Sequence, residues 1–279
     1  MLSSRAKRFH LPLCFLLCLL ISWAVWVPQA LTKLSDPEAP IAGSSPANLL
    51  AVWAPALSAV LLLRLMKGRV GPRMLIHPLR NWRVGVQWWF LVLLYPAAIW
   101  LIARGVDALF GRAIEFSIPI LTYFPPDKLY MVPVAIVLAF PDALGEELGW
   151  RGFALPALQS KQNALVSSGI LDFFWAVWHV PMWIANDMTG FDLLRSATTI
   201  TSFAVLLTWV YNNTGGGLLL AWLFHASTTI TQYLLQTPLT LTDDILRWAV
   251  AALLVIVAGA TNLSRTQERH MLPQGLEAG

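Results

Sequence analysis

Long apolar runs separated by short polar stretches recur along the whole chain. They lie at 11–31, 49–66, 84–103, 164–185, 196–211, 218–236 and 245–261, and an eighth runs from near 128 to about 158. Each approaches or exceeds the ~20 residues that a helix needs to span a bilayer. The pattern predicts an all-α fold, a polytopic membrane bundle of about eight transmembrane helices, built as one membrane domain over 1–279. Polar turns are expected at 159–163 and 212–217. Pro141 and Pro156 should kink the fourth span, which neighbouring helices in a bundle can accommodate. Residues 104–128 are mixed and hold Pro119, Pro125 and Pro126, so an outer loop is expected there.

Composition agrees with this pattern. Of 279 residues, 57% are hydrophobic and 12% charged, about half the charged share usual for a soluble domain. The net charge of +4 carries no nucleic-acid signal, because the cations sit in short clusters beside apolar runs, where they orient helices. The strongest cluster is Arg64, Lys67, Arg69, Arg73, Arg80 and Arg83, which places that connector inside. Arg5, Lys7, Arg8, Lys161, Arg265 and Arg269 fall on the same side, so both termini are expected in the cytoplasm, with the cell membrane as the location. The first apolar run is longer than a secretory h-region and its Pro28-Gln29-Ala30 site is poor, which favours an uncleaved span. Trp88, Trp89 and Trp100 read as interface anchors. Cys14 and Cys18 both lie in the first run, which excludes a disulfide framework and a cysteine-based zinc site.

Against this apolar background, 141–151 stands out, with Asp142, Glu146, Glu147 and Arg151 between apolar flanks. On one helix Glu147 and Arg151 are i,i+4 neighbours and can form a structural ion pair. Glu146 is then left free, and an ionisable group at bilayer depth is a functional candidate by default. Three further groups share that depth: Asp172, His179 and His225. Glu146 and His179 are equidistant from the 161–163 turn, so an antiparallel hairpin sets them level, up to ~24 Å from its tip. His225 begins a polar face continued by Thr229 and Gln232. Asp172, seven residues before His179, could orient the ring or satisfy a neighbour. Trp150, Trp175, Trp178 and Trp222 surround the candidate site, where aromatic side chains are ordinary packing. Asp142 reads as a supporting group.

The order and spacing of these residues resemble the CPBP (Abi) intramembrane proteases, the type II CAAX prenyl protease and bacteriocin-processing family. Glu146-Glu147-Leu148-Gly149-Trp150-Arg151 fits its Glu-Glu-x-x-x-Arg motif. Trp175-Ala176-Val177-Trp178-His179 fits Phe-x-x-x-His with Trp for Phe, and His225-Ala226-Ser227-Thr228-Thr229 fits His-x-x-x-Asn with Thr229 for the amide. The resemblance covers about 129–236, the expected catalytic core. It implies an intramembrane endopeptidase acting on a membrane-associated protein or peptide, with water activated by Glu146. A carboxylate among apolar neighbours suits general-base work. His179 could hold the same water or a metal, and His225 and Thr229 could donate to the oxyanion. The catalytic set is then Glu146, Glu147, His179, His225 and Thr229.

A divalent metal is left open. No His-Glu-x-x-His helix exists, yet Glu146, His179 and His225 are the ligand types of a catalytic zinc site, and the resembling family is commonly described as metalloproteases. The residues lean towards a metal-independent, glutamate-activated water. Two other classes compete: a non-catalytic immunity or regulatory membrane protein, favoured by Thr229, and a proton-coupled transporter, since buried carboxylates and histidines also mark proton relays.

Overall fold

The computed structural model describes residues 10–39, 47–113, 118, 121, 126–235 and 240–264. In chain order the helices are α1 His10–Ser35, α2 Ala47–Val52, α3 Ala54–Lys67, α4 Gly71–Ile76, α5 Val86–Leu109, α6 Met131–Gly149, α7 Leu155–Gln159, α8 Ala164–Ala185, α9 Phe191–Asn213, α10 Leu218–Leu235 and α11 Leu241–Ala258. No strand occurs among the described residues. All eight predicted runs are helical, and α1, α5, α8, α9 and α10 are long and apolar enough to cross a membrane. The other three fall short for visible reasons. Helix α3 has 14 residues, α6 carries Asp142, Glu146 and Glu147, and α11 carries Asp243, Asp244 and Arg247. Arg5, Lys7, Arg8, Arg265 and Arg269, which informed the expected orientation, lie outside the described residues, as does most of the expected 104–128 loop beyond Arg112.

The second predicted span is divided at Trp53. Pro55 has no N–H to give the carbonyl of Ala51, one turn earlier. The hydroxyl of Ser22 on α1 donates to that carbonyl at 2.7 Å, so the group the proline orphans is satisfied by a neighbouring helix. Trp178 Nε1 in turn donates to Ser22 Oγ at 2.6 Å, which ties α8 to the same point. The basic connector after α3 is not a plain loop. It folds as short helical pieces, Gly68–Val70, α4 and His77–Arg80.

Helix α6 lies against α2 and α3 through Gly145 and Gly149. A Cβ at Gly149 would meet the Pro55 backbone at 2.4 Å, and one at Gly145 would meet the Trp53 ring at 3.0 Å. This small-x-x-x-small spacing lets two backbones approach closely. It also faces Glu146 and Glu147, which lie between the glycines, into the bundle. The kink expected from Pro156 takes the form of a π-helical turn at Trp150–Ala154, directly before α7. Such turns accommodate a broken hydrogen-bond ladder and are frequent at functional sites.

The core is rich in aromatic side chains: Trp26, Trp100, Trp150, Trp175, Trp178, Phe153 and Phe224 are all almost fully buried. Trp100, expected at an interface, is among them. The side opposite the second polar cluster described below is closed by amide bonds. Gln159 and Asn212 exchange hydrogen bonds at 3.1 and 2.8 Å. Asn212 and Asn213 also donate to the carbonyls of Asn262 and Leu263, and Asn163 caps α8 by accepting from Val166 N–H.

Candidate active site

Three helices bring the predicted polar residues together, α6 with its π turn, α8 and α10. Glu147 and Arg151 form the expected pair, with Nη1 2.9 Å from Oε1 and both side chains fully buried. The pair has a third member that the sequence did not suggest. His225 Nδ1 lies 2.9 Å from the same Glu147 oxygen, so one carboxylate links α6 to α10. The acceptor is a carboxylate held by a guanidinium, which assigns the donor role to Nδ1.

Glu146 is not free of protein partners. Its Oε2 accepts from Trp175 Nε1 at 2.7 Å, and the Trp150 indole, whose own N–H has no close hydrogen-bond partner, stands beside the carboxylate. His179 Nδ1 lies 2.8 Å from the carbonyl oxygen of Trp175. A carbonyl can only accept, so the proton sits on Nδ1 and a neutral ring presents Nε2 as an acceptor. The ring of His179 is held among Trp178 at 4.6 Å, Trp183 at 5.2 Å and Trp175 at 5.9 Å.

Trp175 is therefore the centre of the arrangement. Besides its bonds to Glu146 and His179, its ring lies 5.5 Å from that of His225 and 4.7 Å from the Arg151 guanidinium carbon. A residue expected to be ordinary packing thus touches four of the predicted site residues. The signal available in the sequence was positional, since Trp175 fills the aromatic position of the second motif. Trp222 ties α10 to α6 separately, with Nε1 donating to the carbonyl of Phe140 at 2.6 Å.

Two further expectations meet their surroundings here. Thr229 does not present a free hydroxyl donor, because its Oγ1 donates to the carbonyl of His225 on its own helix at 3.3 Å. Asp172 does not orient His179. It accepts from Thr201 Oγ1 on α9 at 2.5 Å, the alternative of satisfying a neighbour. Asp142, one turn before Glu146, is half-buried.

Among the described residues no three His, Cys, Asp or Glu side chains are grouped to hold an ion. Glu146, His179 and His225 share Trp175 as a neighbour, and the Nδ1 bonds leave Nε2 of each imidazole and one Glu146 oxygen as open donors, the orientation usual for metal-bound histidines. The three side chains are not grouped to hold an ion as arranged.

Helices that cross a membrane around buried carboxylates, an arginine and two histidines define an integral membrane protein with a polar centre inside its bundle. Residues 128–231 match the family model of the Rce1-like type II CAAX prenyl endopeptidases, a stretch that contains every site residue named above. Over 112 residues, 37% of this chain, the sequence is 30% identical to CAAX prenyl protease 2 of Methanococcus maripaludis. The match spans 41% of that relative's length. Through this region the chain is similar to the type II CAAX prenyl endopeptidases.

Proposed function

We propose that the protein is an intramembrane endopeptidase that hydrolyses a peptide bond in a membrane-associated protein or peptide. The observation that carries this reading is the division of labour between adjacent carboxylates. Glu147 is paired through Oε1 with the cationic Arg151 and with His225, whereas Glu146 has no arginine partner, is positioned through one oxygen by the neutral Trp175 indole and keeps the other for water. Glu146 takes a proton from that water as its oxygen attacks the scissile carbonyl, with His179 Nε2 accepting the second O–H. The negative charge gathers on the carbonyl oxygen. His225, when protonated, can donate Nε2–H to it while Nδ1–H remains on Glu147. Glu146 then passes its proton to the leaving amine as the C–N bond breaks, and the products are a carboxylic acid and an amine.

The similarity to CAAX prenyl protease 2 of Methanococcus maripaludis supports the reaction class; the substrate is proposed only as a membrane-anchored peptide segment. The test is product mass spectrometry with purified protein in lipid nanodiscs and membrane-anchored peptide candidates. Site-specific cleavage by wild type and none by Glu146→Gln is the expected result. One observation favours a second reading, a non-catalytic regulatory protein on the same fold: the Thr229 hydroxyl is turned back on its own helix. Absence of cleavage from wild type on every candidate would favour that reading, whereas cleavage that persists unchanged in Glu146→Gln would remove Glu146 as the base.

A further inference from the structure

The charges outside the candidate active site are divided between the two ends of the bundle. Asp107, Asp243 and Asp244 form a second polar cluster where α5 finishes and α9 and α11 begin. Arg104, Arg112 and Arg195 pair with them there. The opposite end is basic and has no such partners. Arg64, Lys67, Arg69, Arg73, Arg80 and Arg83 follow one another in its connector, and the stretches that build this end, 39–106, 148–171 and 193–242, contain no Asp or Glu. Cations at the ends of spans orient helices whether or not they bind anything. Two of these six also border a pocket.

That open pocket, of about 430 Å³, lies between the connector and the 212–217 turn and is lined by Arg80, Asn81, Trp82, Arg83, Thr214 and Gly215. Its volume falls in the ~300–1,000 Å³ range of small-molecule sites. The walls are fixed by bonds of their own. Asn81 Nδ2 donates to the Gly215 carbonyl at 2.9 Å, and Gly215 and Gly216 take φ of 67° and 69°, a left-handed turn that favours glycine. Thr214 gives its hydroxyl proton to the Val210 carbonyl at 2.8 Å. The open donors are the guanidinium groups of Arg80 and Arg83. Both side chains are exposed, and neither has an ion pair or hydrogen bond with a described residue. Arg83 lies over the Trp82 ring at 5.3 Å. Two guanidinium groups with no carboxylate beside them call for a phosphate-like anion.

The position of the pocket decides where that phosphate comes from. It lies where α5 and α10 begin and α9 ends, and all three helices are long and apolar enough to cross a membrane. The pocket is therefore level with lipid headgroups. Trp82 is 57% exposed beside it, and further along α5 Val86, Phe90, Leu94 and Leu101 are 56–65% exposed. A basic pocket above an outward apolar stripe matches a phosphate that carries acyl chains. We propose that Arg80 and Arg83, flanked by Trp82, bind the phosphate of an anionic phospholipid whose acyl chains lie along α5. Through the Asn81–Gly215 bond the occupied site braces the start of α10, the helix that carries His225. The site stands independently of the peptidase reading.

The experiment takes full-length protein in a neutral detergent and measures binding by native mass spectrometry and thermal shift. Dioleoyl phosphatidylglycerol, dioleoyl phosphatidylcholine, glycerol 3-phosphate and inorganic phosphate are added in turn. Phosphatidylglycerol should bind and raise the melting midpoint, while phosphatidylcholine binds at least about tenfold more weakly. The two soluble phosphates should give no shift at the same concentration. Arg80→Gln combined with Arg83→Gln should remove the preference. Arg69→Gln combined with Arg73→Gln removes the same charge from exposed positions outside the pocket and should leave the preference intact. Without lipid the Arg80/Arg83 variant should melt with wild type, because neither side chain has an ion pair or hydrogen bond to lose. A fall of several degrees would make these arginines part of the empty fold and overturn the proposal. Equal binding of the two phospholipids, or of neither, would also overturn it. Equal loss of preference in the two double variants would overturn the pocket in favour of general surface charge. A shift from either soluble phosphate as large as that from phosphatidylglycerol would overturn the lipid assignment in favour of a free phosphate.

Discussion

The protein holds two groups of buried carboxylates, and they are built on different terms. Asp107, near the end of α5, is surrounded: Thr240 and Thr242 donate to its two oxygens at 2.9 and 2.5 Å, and Arg112 and Arg104 flank it. Asp243 closes a capping box with Thr240 at the start of α11 and pairs with Arg104. These acids sit at helix ends, where backbone groups and threonines are at hand to satisfy them. Glu146 sits within a helix, deep in an apolar bundle, held by the Trp175 indole with the Trp150 indole beside it. A saturated carboxylate holds helices together. Glu147, Asp172 and Asp244 also keep one oxygen without a partner, but Glu147 and Asp244 are paired with arginines and Asp172 is held by Thr201. Glu146 is held by a neutral indole between the two histidines, which leaves its spare oxygen for a reacting molecule.

The comparison breaks most sharply at Glu146. On a proven substrate, Glu146→Gln should lower turnover by about 10²–10⁴-fold, the usual range for loss of a general base. Its amide oxygen can still accept from Trp175 Nε1, so the melting midpoint should stay near wild type. Wild-type turnover in this variant would remove Glu146 as the base.

Next in size is Glu147→Gln, which acts on stability. It leaves Arg151 in the core beside a neutral amide, a change that costs ~3–5 kcal/mol when a buried pair is broken. Chemical or thermal unfolding of the variant in detergent measures it. A loss below ~1 kcal/mol would mean that the Glu147–Arg151–His225 chain does not hold α6 to α10 as drawn.

Trp175→Phe keeps the aromatic packing and removes the bond to Glu146. Hydrogen bonds to charged groups contribute ~1.5–3 kcal/mol, so turnover should fall by roughly 10–100-fold. The fall should appear in kcat with little change in KM, since Trp175 positions the base and is not assigned to the substrate. A selective rise in KM would instead place the indole against bound peptide.

Arg195→Gln probes the other side of the comparison. The Arg195–Asp244 pair is part-exposed, and pairs of that kind contribute up to ~1 kcal/mol. A small drop in melting midpoint with unchanged turnover is expected. A large loss of turnover would show that the second cluster communicates with the first.

What the sequence revealed and what it hid follow from contrast. Glu146, Glu147, Arg151, His179 and His225 are legible because ionisable groups are rare in apolar runs, and the structure gathers them around one tryptophan. Trp175 was hidden by the same background, since an indole in an apolar helix looks like packing until its N–H is seen to meet a carboxylate. Gly145 and Gly149 offered a readable four-residue spacing, but its use depends on Pro55 standing opposite. The π turn at Trp150–Ala154 and the Ser22 hydroxyl that serves Ala51 are products of tertiary packing and carry no local signature. The eight apolar runs were legible as helices. Those carrying three charged side chains, α6 and α11, are held by partners that the apolar pattern alone does not show.

The smallest effect is expected at Thr229. In the third motif this position is the one that departs from the resembling family, and a donor there could stabilise the oxyanion. The hydroxyl instead donates to the His225 carbonyl one turn back, at 3.3 Å, a common arrangement for threonine within a helix. Its loss should cost no more than a weak local bond. Thr229→Ala should therefore change kcat by less than about threefold, well short of the ~10²–10³-fold that removal of an oxyanion donor produces. Thr229→Asn completes the measurement, because an amide is longer and offers two donor hydrogens. A gain in kcat with asparagine and no loss with alanine would leave His225 as the donor that the native chain uses. A loss of 10²-fold or more with alanine would show that the hydroxyl leaves its helix in the reacting complex, and the contrast between a spare Glu146 oxygen and an occupied Thr229 hydroxyl would fail on the side of Thr229.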